Sequence, residues 1–294
     1  MSDTLLSIGS DEATIAARDV WGRHPIHIAC SRDSETVVKC LLKNSVDIGI
    51  TDNRGCSAIH YASASGKERI IRLLIDESSV DINSKDRDGF SPLMFAAARG
   101  HTAAVRLLLQ RGAEVNVKNL LSQTPLIMAA KHGETAIVQM LLDTGAKVNS
   151  EAIYGQTPLL LAIENGYMDT VQLLLQKGSN TGPVAGRTPL SVAAGRGHLD
   201  IIRLLLEKGA NIDGGGDNYL SGPLAEAISN RHADIVRLLL KKGANLPARP
   251  YDNFISDDSQ KNVLHKDMVE LLGAETPDCI ERDTESSVPT LPPE

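Results

Sequence analysis

Residues Asp86–Lys118 read DRDGFSPLMFAAARGHTAAVRLLLQRGAEVNVK, and recognisable versions of this stretch recur on both sides of it. Its landmark, Pro92, has equivalents at Pro25, Ala58, Pro125, Pro158, Pro189 and Pro223, at spacings of 33, 34, 33, 33, 31 and 34 residues. A fixed period in this range marks a stacked-repeat architecture. Within the unit, Asp86-Arg87-Asp88-Gly89 is turn chemistry, with Gly89 free to take a positive φ. Ser91-Pro92 opens a helix: the hydroxyl caps it, and the proline sits at the first helical position, where no N–H is needed. Leu93, Ala96 and Ala97 give that helix an apolar face, and Gly100 ends it. A second helix is expected over 102–110, with Val105, Leu108 and Leu109 facing inward and Gly112 closing it. The segment 113–118 is extended and leads into the next turn.

Neither helix is long enough to stand alone, since isolated helices below roughly 12–15 residues are marginal in water. Each pair must therefore bury its face against neighbouring pairs. Four residues after the landmark stands alanine in every unit: Ala29, Ala62, Ala96, Ala129, Ala162, Ala193 and Ala227. A small side chain there lets adjacent helices approach closely. The second helix carries an equally regular apolar pair, Leu41-Leu42, Leu74-Ile75, Leu108-Leu109, Leu141-Leu142, Leu174-Leu175, Leu205-Leu206 and Leu239-Leu240. Every length change falls outside the helix pair, where loops absorb insertions that packed helices do not.

Thr124-Pro125-Leu126, Thr157-Pro158-Leu159 and Thr188-Pro189-Leu190 resemble the TPLH signature of ankyrin repeats. So do the Gly-His pairs Gly100-His101 and Gly197-His198, and the Gly-Ala-x-Val-Asn runs Gly112–Asn116 and Gly145–Asn149. The resemblance covers about 19–245 in seven in-phase copies. It implies an all-α solenoid of helix–turn–helix units with β-hairpin fingers, and a concave face of finger tips and first helices that binds other macromolecules. It implies no catalysis and no cofactor.

The net charge of −7 disfavours non-specific nucleic-acid binding, which rewards dense Lys/Arg surfaces. The start MSDTLLSIGSDE has no basic n-region or long apolar core, so no secretory signal is expected. No apolar run approaches the roughly 20 residues of a membrane span. Cys30 and Cys40 fall on helix packing positions, Cys56 on a finger and Cys279 in the tail, a scatter that fits reduced thiols. The protein is expected in the cytoplasm or nucleus, as a monomer.

In order along the chain, residues 1–18 hold Leu5-Leu6 and Gly9, which fit either a partial leading repeat or a frayed terminus. The array follows as 19–51, 52–85, 86–118, 119–151, 152–182, 183–216 and 217–250, then a C-terminal cap over 251–274 and a disordered acidic tail over 275–294. Repeats one and two drift: Ser45 and Ser78 replace the second glycine, Asp33 the first glycine of repeat one, and Ala58 the proline. Repeat seven puts Leu220 and Arg231 at glycine positions. The finger between repeats five and six is two residues short, and the next carries Gly214-Gly215-Gly216.

His24, His27 and Cys30 have spacings that raise a metal site, but His27 stands on the signature histidine and Cys30 on a packing position. The signature histidine is kept again at His60 and replaced elsewhere by Met94, Ile127, Leu160, Ser191 and Ala225. The triple glycine lacks a following Lys-Ser/Thr, so it is no phosphate loop. The Ser/Thr-Pro pairs read as helix caps, leaving Thr276-Pro277 as the one candidate kinase site. No HExxH, GxSxG or paired-carboxylate motif occurs, and no catalytic, cofactor or metal residues are assigned.

The informative positions are those the fold leaves free: the finger tips and the end of each first helix. Of nine aromatic residues, four (Trp21, Phe90, Tyr154 and Tyr219) fall on finger tips. Leu120, Leu121, Ile153 and Val184 add aliphatic tips, while Arg54, Arg99, Lys131, Arg187 and Arg196 carry one sign of charge. Exposed apolar patches mark interaction sites. The expected partner is a protein, through an acidic or amphipathic segment gripped by apolar anchors and a basic rim, with no nucleic acid or membrane. Three other readings remain: a recognition arm of a larger protein, an enzyme with an unfamiliar site, and a spacer that only stabilises an assembly.

Overall fold

The computed structural model describes residues 17–44, 46–214 and 222–245. The leading segment through residue 16, Leu220, the 251–274 cap and the 275–294 tail lie outside these residues. Among the described residues the chain forms fourteen α-helices and one 3₁₀ turn. The first helix of every repeat starts at the landmark: α1 (Pro25–Ser31), α3 (Ala58–Ala64), α5 (Pro92–Ala98), α7 (Pro125–Lys131), α9 (Pro158–Glu164), α11 (Pro189–Arg196) and α13 (Pro223–Ser229). The second helices are α2 (Glu35–Lys43), α4 (Glu68–Glu77), α6 (Thr102–Gln110), α8 (Thr135–Asp143), α10 (Met168–Gln176), α12 (Leu199–Glu207) and α14 (Ala233–Lys241).

The chain divides into two compact units, Met1–Asn180 and Thr181–Glu294, and the division falls inside the finger that is two residues short. In the first unit α1, α3, α5, α7 and α9 pack side by side in one layer, and α2, α4, α6, α8 and α10 form a second layer against it. In the second unit α11 packs on α13 and α12 on α14. The alanine four residues after each landmark is buried in all seven repeats, as close helix approach requires. The leading member of each second-helix pair is buried too, whereas the second member, Leu109 included, is only half-buried. The inward face is thus narrower than the pattern suggested.

Caps follow the sequence signals. Ser91 Oγ and the Oγ1 atoms of Thr124, Thr157 and Thr188 each accept from the backbone N–H three residues on. His60 extends the same logic between repeats: its Nδ1 lies 2.9 Å from Ser57 Oγ, and its Nε2 is 3.1 Å from the carbonyls of Ser84 and Phe90. The asparagines of the Val-Asn runs tie each unit to the next. Asn116 Oδ1 accepts from Lys147 N–H at 2.9 Å and Asn149 Oδ1 from Asn180 N–H at 2.9 Å.

The fingers are hairpin turns too short to form strands; among the described residues the one β-bridge joins Val184 and Arg187. Their shape comes from a single acceptor that repeats with the period. In finger two, Asp52 Oδ1 accepts the N–H groups of Arg54 and Cys56, both at 2.8 Å. The Gly55 N–H closes onto the Asp52 carbonyl at 3.0 Å, and the left-handed glycine completes a three-residue bulged turn. Asp19, Asp86 and Asn119 do the same in fingers one, three and four. Finger four closes with Ser122 at φ 58 rather than glycine. Finger five has Ala152, which offers no side-chain acceptor, and its 3₁₀ turn puts Tyr154 at φ 65. Finger six is a two-residue turn through Ala185 and Gly186, both at positive φ.

Arg231 sits at φ 59, where the other repeats mostly use glycine to leave the first helix. A side chain in that conformation costs on the order of 1 kcal/mol. Arg231→Gly is therefore expected to raise the thermal midpoint slightly. A midpoint unchanged or lowered would mean that the arginine's own contacts outweigh the backbone strain.

Candidate interaction surface

All the exposed large hydrophobic side chains among the described residues lie on finger tips of the first unit: Val20, Trp21, Leu120, Leu121, Ile153 and Tyr154. The exposure is extensive, 62% for Trp21, 70% for Leu120 and 87% for Tyr154. Adjacent tips are joined through the backbone, Leu120 N–H to Asp88 O at 2.9 Å and Ile153 N–H to Leu121 O at 3.1 Å. Leu120, Leu121, Ile153 and Tyr154 thus share two neighbouring, tied fingers. Trp21 stands apart on finger one, with the Arg23 guanidinium 4.6 Å from its ring centroid.

The other sequence-derived positions divide. Arg54, Arg99 and Lys131 are exposed in the first unit, and Arg187 and Arg196 in the second. Phe90 differs from its expected role: it is half-buried, packs on the Met94, Val117 and Met128 cluster, and leans on Phe95 with ring centroids 5.6 Å apart. It belongs more to the core than to the tips. Val184 is half-buried in its bridge with Arg187. Tyr219 lies outside the described residues.

One stripe was not anticipated. Three residues after the landmark, first helices carry Ile28, Tyr61, Phe95, Met128 and Leu161 in the first unit. Tyr61 and Phe95 floor an open cleft of ≈ 250 Å³ edged by Arg23, Arg54 and Arg99. Its period equals that of the alanines, a signal the sequence contained. In the second unit an open cleft of ≈ 320 Å³ is lined by Arg187, Arg196, Glu226 and Asn230.

The groups beneath the first cleft are committed to holding it. Tyr61 O–H donates to Asp52 Oδ2 at 2.6 Å, and the Tyr61 ring stacks on His27 with centroids 5.2 Å apart. Burial pushes the Asp52 carboxyl up, but the Tyr61 hydroxyl and the Cys56 and Arg54 N–H groups outweigh it and leave its pKa below the ordinary value. Burial, with that same carboxylate, raises the Tyr61 hydroxyl. Burial also pushes the Cys30 and Cys56 thiols up to about 12, so neither is a poised nucleophile. Among the described residues Cys30, Cys40 and Cys56 are free, and no group of three or more His, Cys, Asp or Glu side chains could hold a metal.

Both ring nitrogens of His27 are engaged: Nδ1 accepts from His24 N–H at 3.0 Å, and Nε2 faces the Ile50 carbonyl at 3.0 Å. This pattern needs the neutral ring. Burial lowers the pKa of His27 and His60 below the ordinary histidine value, against the opposing pull of Asp52 and Asp86. The unfolded chain then binds more protons than the folded one as pH falls past about 6.5. Stability is complete above that pH and is lost as pH drops toward the depressed folded values. The thermal midpoint is expected to fall between pH 7 and 5, and the double variant His27→Gln/His60→Gln to flatten that slope. An equal slope in the variant would place the pH dependence elsewhere.

A family model described as ankyrin repeats (3 copies) matches residues 4–86, 26–119, 93–185 and 178–249. Among solved structures, the human ASB11 ankyrin repeat domain is similar at 28% identity and a TM-score of 0.62, covering 75% of this chain and 100% of that one. No curated protein matches the chain.

Proposed function

The chain belongs to the ankyrin-repeat family, and we propose that it is a non-enzymatic adaptor that holds a segment of a partner protein against its finger tips and first helices. Ankyrin repeats are protein-interaction modules, and the similar solved structure is such a repeat domain. One observation carries the finer reading: the large apolar side chains left exposed among the described residues all lie on finger tips. Leaving them in water costs free energy that only an occupant recovers. In the first unit Leu120, Leu121, Ile153 and Tyr154 are the anchors, with Arg99 and Lys131 as a basic rim and Trp21 and Arg54 extending the surface. In the second unit Val184, Arg187 and Arg196 add contacts of their own. An acidic or amphipathic segment fits this combination.

No helix among the described residues is long and apolar enough to cross a membrane. The reading is of a monomer working in the cytoplasm or nucleus on protein rather than nucleic acid. Proximity labelling in cells, run in parallel with the wild-type chain and a Leu121→Ala/Tyr154→Ala variant, tests it. Neighbours lost with the variant support the tips as the binding surface; an identical set of neighbours removes it.

A further inference from the structure

We infer that the cleft of repeats one to three is a second binding site, built for a short acidic segment of a partner protein in which an aromatic or bulky apolar residue is flanked by carboxylates. The inference rests on the reading of the chain as an interaction module, but it assigns a separate place, with an aromatic floor that the finger tips of repeats four and five do not supply.

The chemistry of the cleft is divided between floor and walls. The Tyr61 and Phe95 rings and Ala64 make an apolar floor, and Arg23 and Arg54 from two fingers and Arg99 from the end of α5 stand at its edges. The floor is rigid. Tyr61 is pinned by its hydroxyl to Asp52 and by stacking on His27, and Phe95 is wedged between His60 and Phe90. A preformed aromatic surface binds at low entropic cost.

Charge decides what lies over that floor. Asp52 is the one carboxylate lining the cleft, and both its oxygens are occupied, Oδ1 by two backbone N–H groups and Oδ2 by the tyrosine hydroxyl. It is a structural anchor and offers the arginines little. Arg23 is held by Asp19 at 2.6 Å and serves as a fixed wall. Arg54 meets Asp88 only at 4.0 Å, with both side chains largely exposed, a pairing of small worth. Arg99 spends one N–H on the Ala64 carbonyl at 3.0 Å, which aims the guanidinium across the cleft and leaves its other donors for a ligand. Two arginines with spare donors thus flank an aromatic floor, a match for carboxylates on either side of an inserted ring.

Stacked bases with phosphates would satisfy a similar list of contacts. The protein segment is favoured because the cleft offers only two uncommitted cations and the chain as a whole is negative, −7, whereas single-stranded binding depends on a continuous cationic track.

The test is selection of a random twelve-residue peptide library on the full chain, followed by fluorescence anisotropy with the enriched peptides. Sequences placing Phe, Tyr, Trp or Leu beside Asp or Glu are expected. Their binding should weaken at least tenfold with Arg54→Glu/Arg99→Glu, weaken as salt rises, and persist with Leu121→Ala/Tyr154→Ala. Enriched peptides without acidic residues, or acidic peptides indifferent to the arginine variants, would overturn the inference. So would failure to enrich any peptide, or a twelve-nucleotide single strand binding as tightly through the same arginines. If the peptides depend instead on Leu121 and Tyr154, this cleft is excluded while the proposed function of the finger tips stands.

Discussion

Replacing Leu121 and Tyr154 together by alanine is expected to weaken partner capture about a hundredfold and to leave the thermal midpoint nearly unchanged. Each side chain is exposed on a tied finger tip and is proposed as an apolar anchor, so each single replacement is expected to cost at least about tenfold, some 1.4–2 kcal/mol. Stability should hold because neither side chain is in the core: Tyr154 is 87% exposed and Leu121 51%. Surface changes away from packing and caps usually move stability by less than about 0.5 kcal/mol. Arg99→Glu with Lys131→Glu acts differently. Rim charges steer encounter, so that pair should slow association most at low salt and matter less as salt rises. The measurement is association and dissociation rate of the captured partner for the four-residue series. Capture that survives all four changes but fails on deleting residues 275–294 would place the site in the acidic tail.

Much of this could be read before the structure, and the limits have physical causes. The phase of the repeat fixes where first helices start because proline and a hydroxyl cap act locally, and every described first helix begins at its landmark. The buried alanines follow from the same period. What periodicity does not reveal is which side chain folds back on its own backbone. The stretch Asp86–Gly89 is legible as a turn, yet the role of Asp86 as the acceptor shaping finger three emerges only from its two N–H contacts. Phe90 likewise stands on a finger beside exposed tips but packs against the cluster of Met94, Val117 and Met128. Ser122 takes a left-handed conformation that its residue type does not advertise. The aromatic floor is not legible from the period alone because the same position is buried at Met128, Leu161 and Val192 but half-buried at Ile28, Tyr61 and Phe95.

The finger acceptor yields the largest expected loss of stability. Asp52→Ala removes a buried carboxylate that accepts from Arg54 N–H, Cys56 N–H and Tyr61 O–H, and it leaves those donors without their acceptor at the base of the cleft. Hydrogen bonds to a charged acceptor contribute about 1.5–3 kcal/mol each, and stranded buried donors cost about 1–3 kcal/mol. Even with strong non-additivity among three contacts on one group, a loss of about 3 kcal/mol or more is expected. It should be local: finger two accepts the Arg87 N–H of finger three at Arg54 O on one side and donates Asn53 N–H to Trp21 O of finger one on the other. Amide exchange should therefore accelerate in fingers one to three before the rest of the first unit. Asp52→Asn is the control, because Asn119 performs the same backbone acceptance in finger four with a neutral amide; it should retain most of the stability. Finger five already lives with alanine at this place, and there Ala152 is instead packed against Ile127 and Leu161 while Tyr154 turns left-handed. Finger two has no equivalent escape, since its alanine would inherit the Tyr61 hydroxyl as an unpaired donor. Equal midpoints and equal exchange for Asp52→Ala and the wild type would show that finger two can re-form as finger five does, and that the acceptor shapes the turn without holding it.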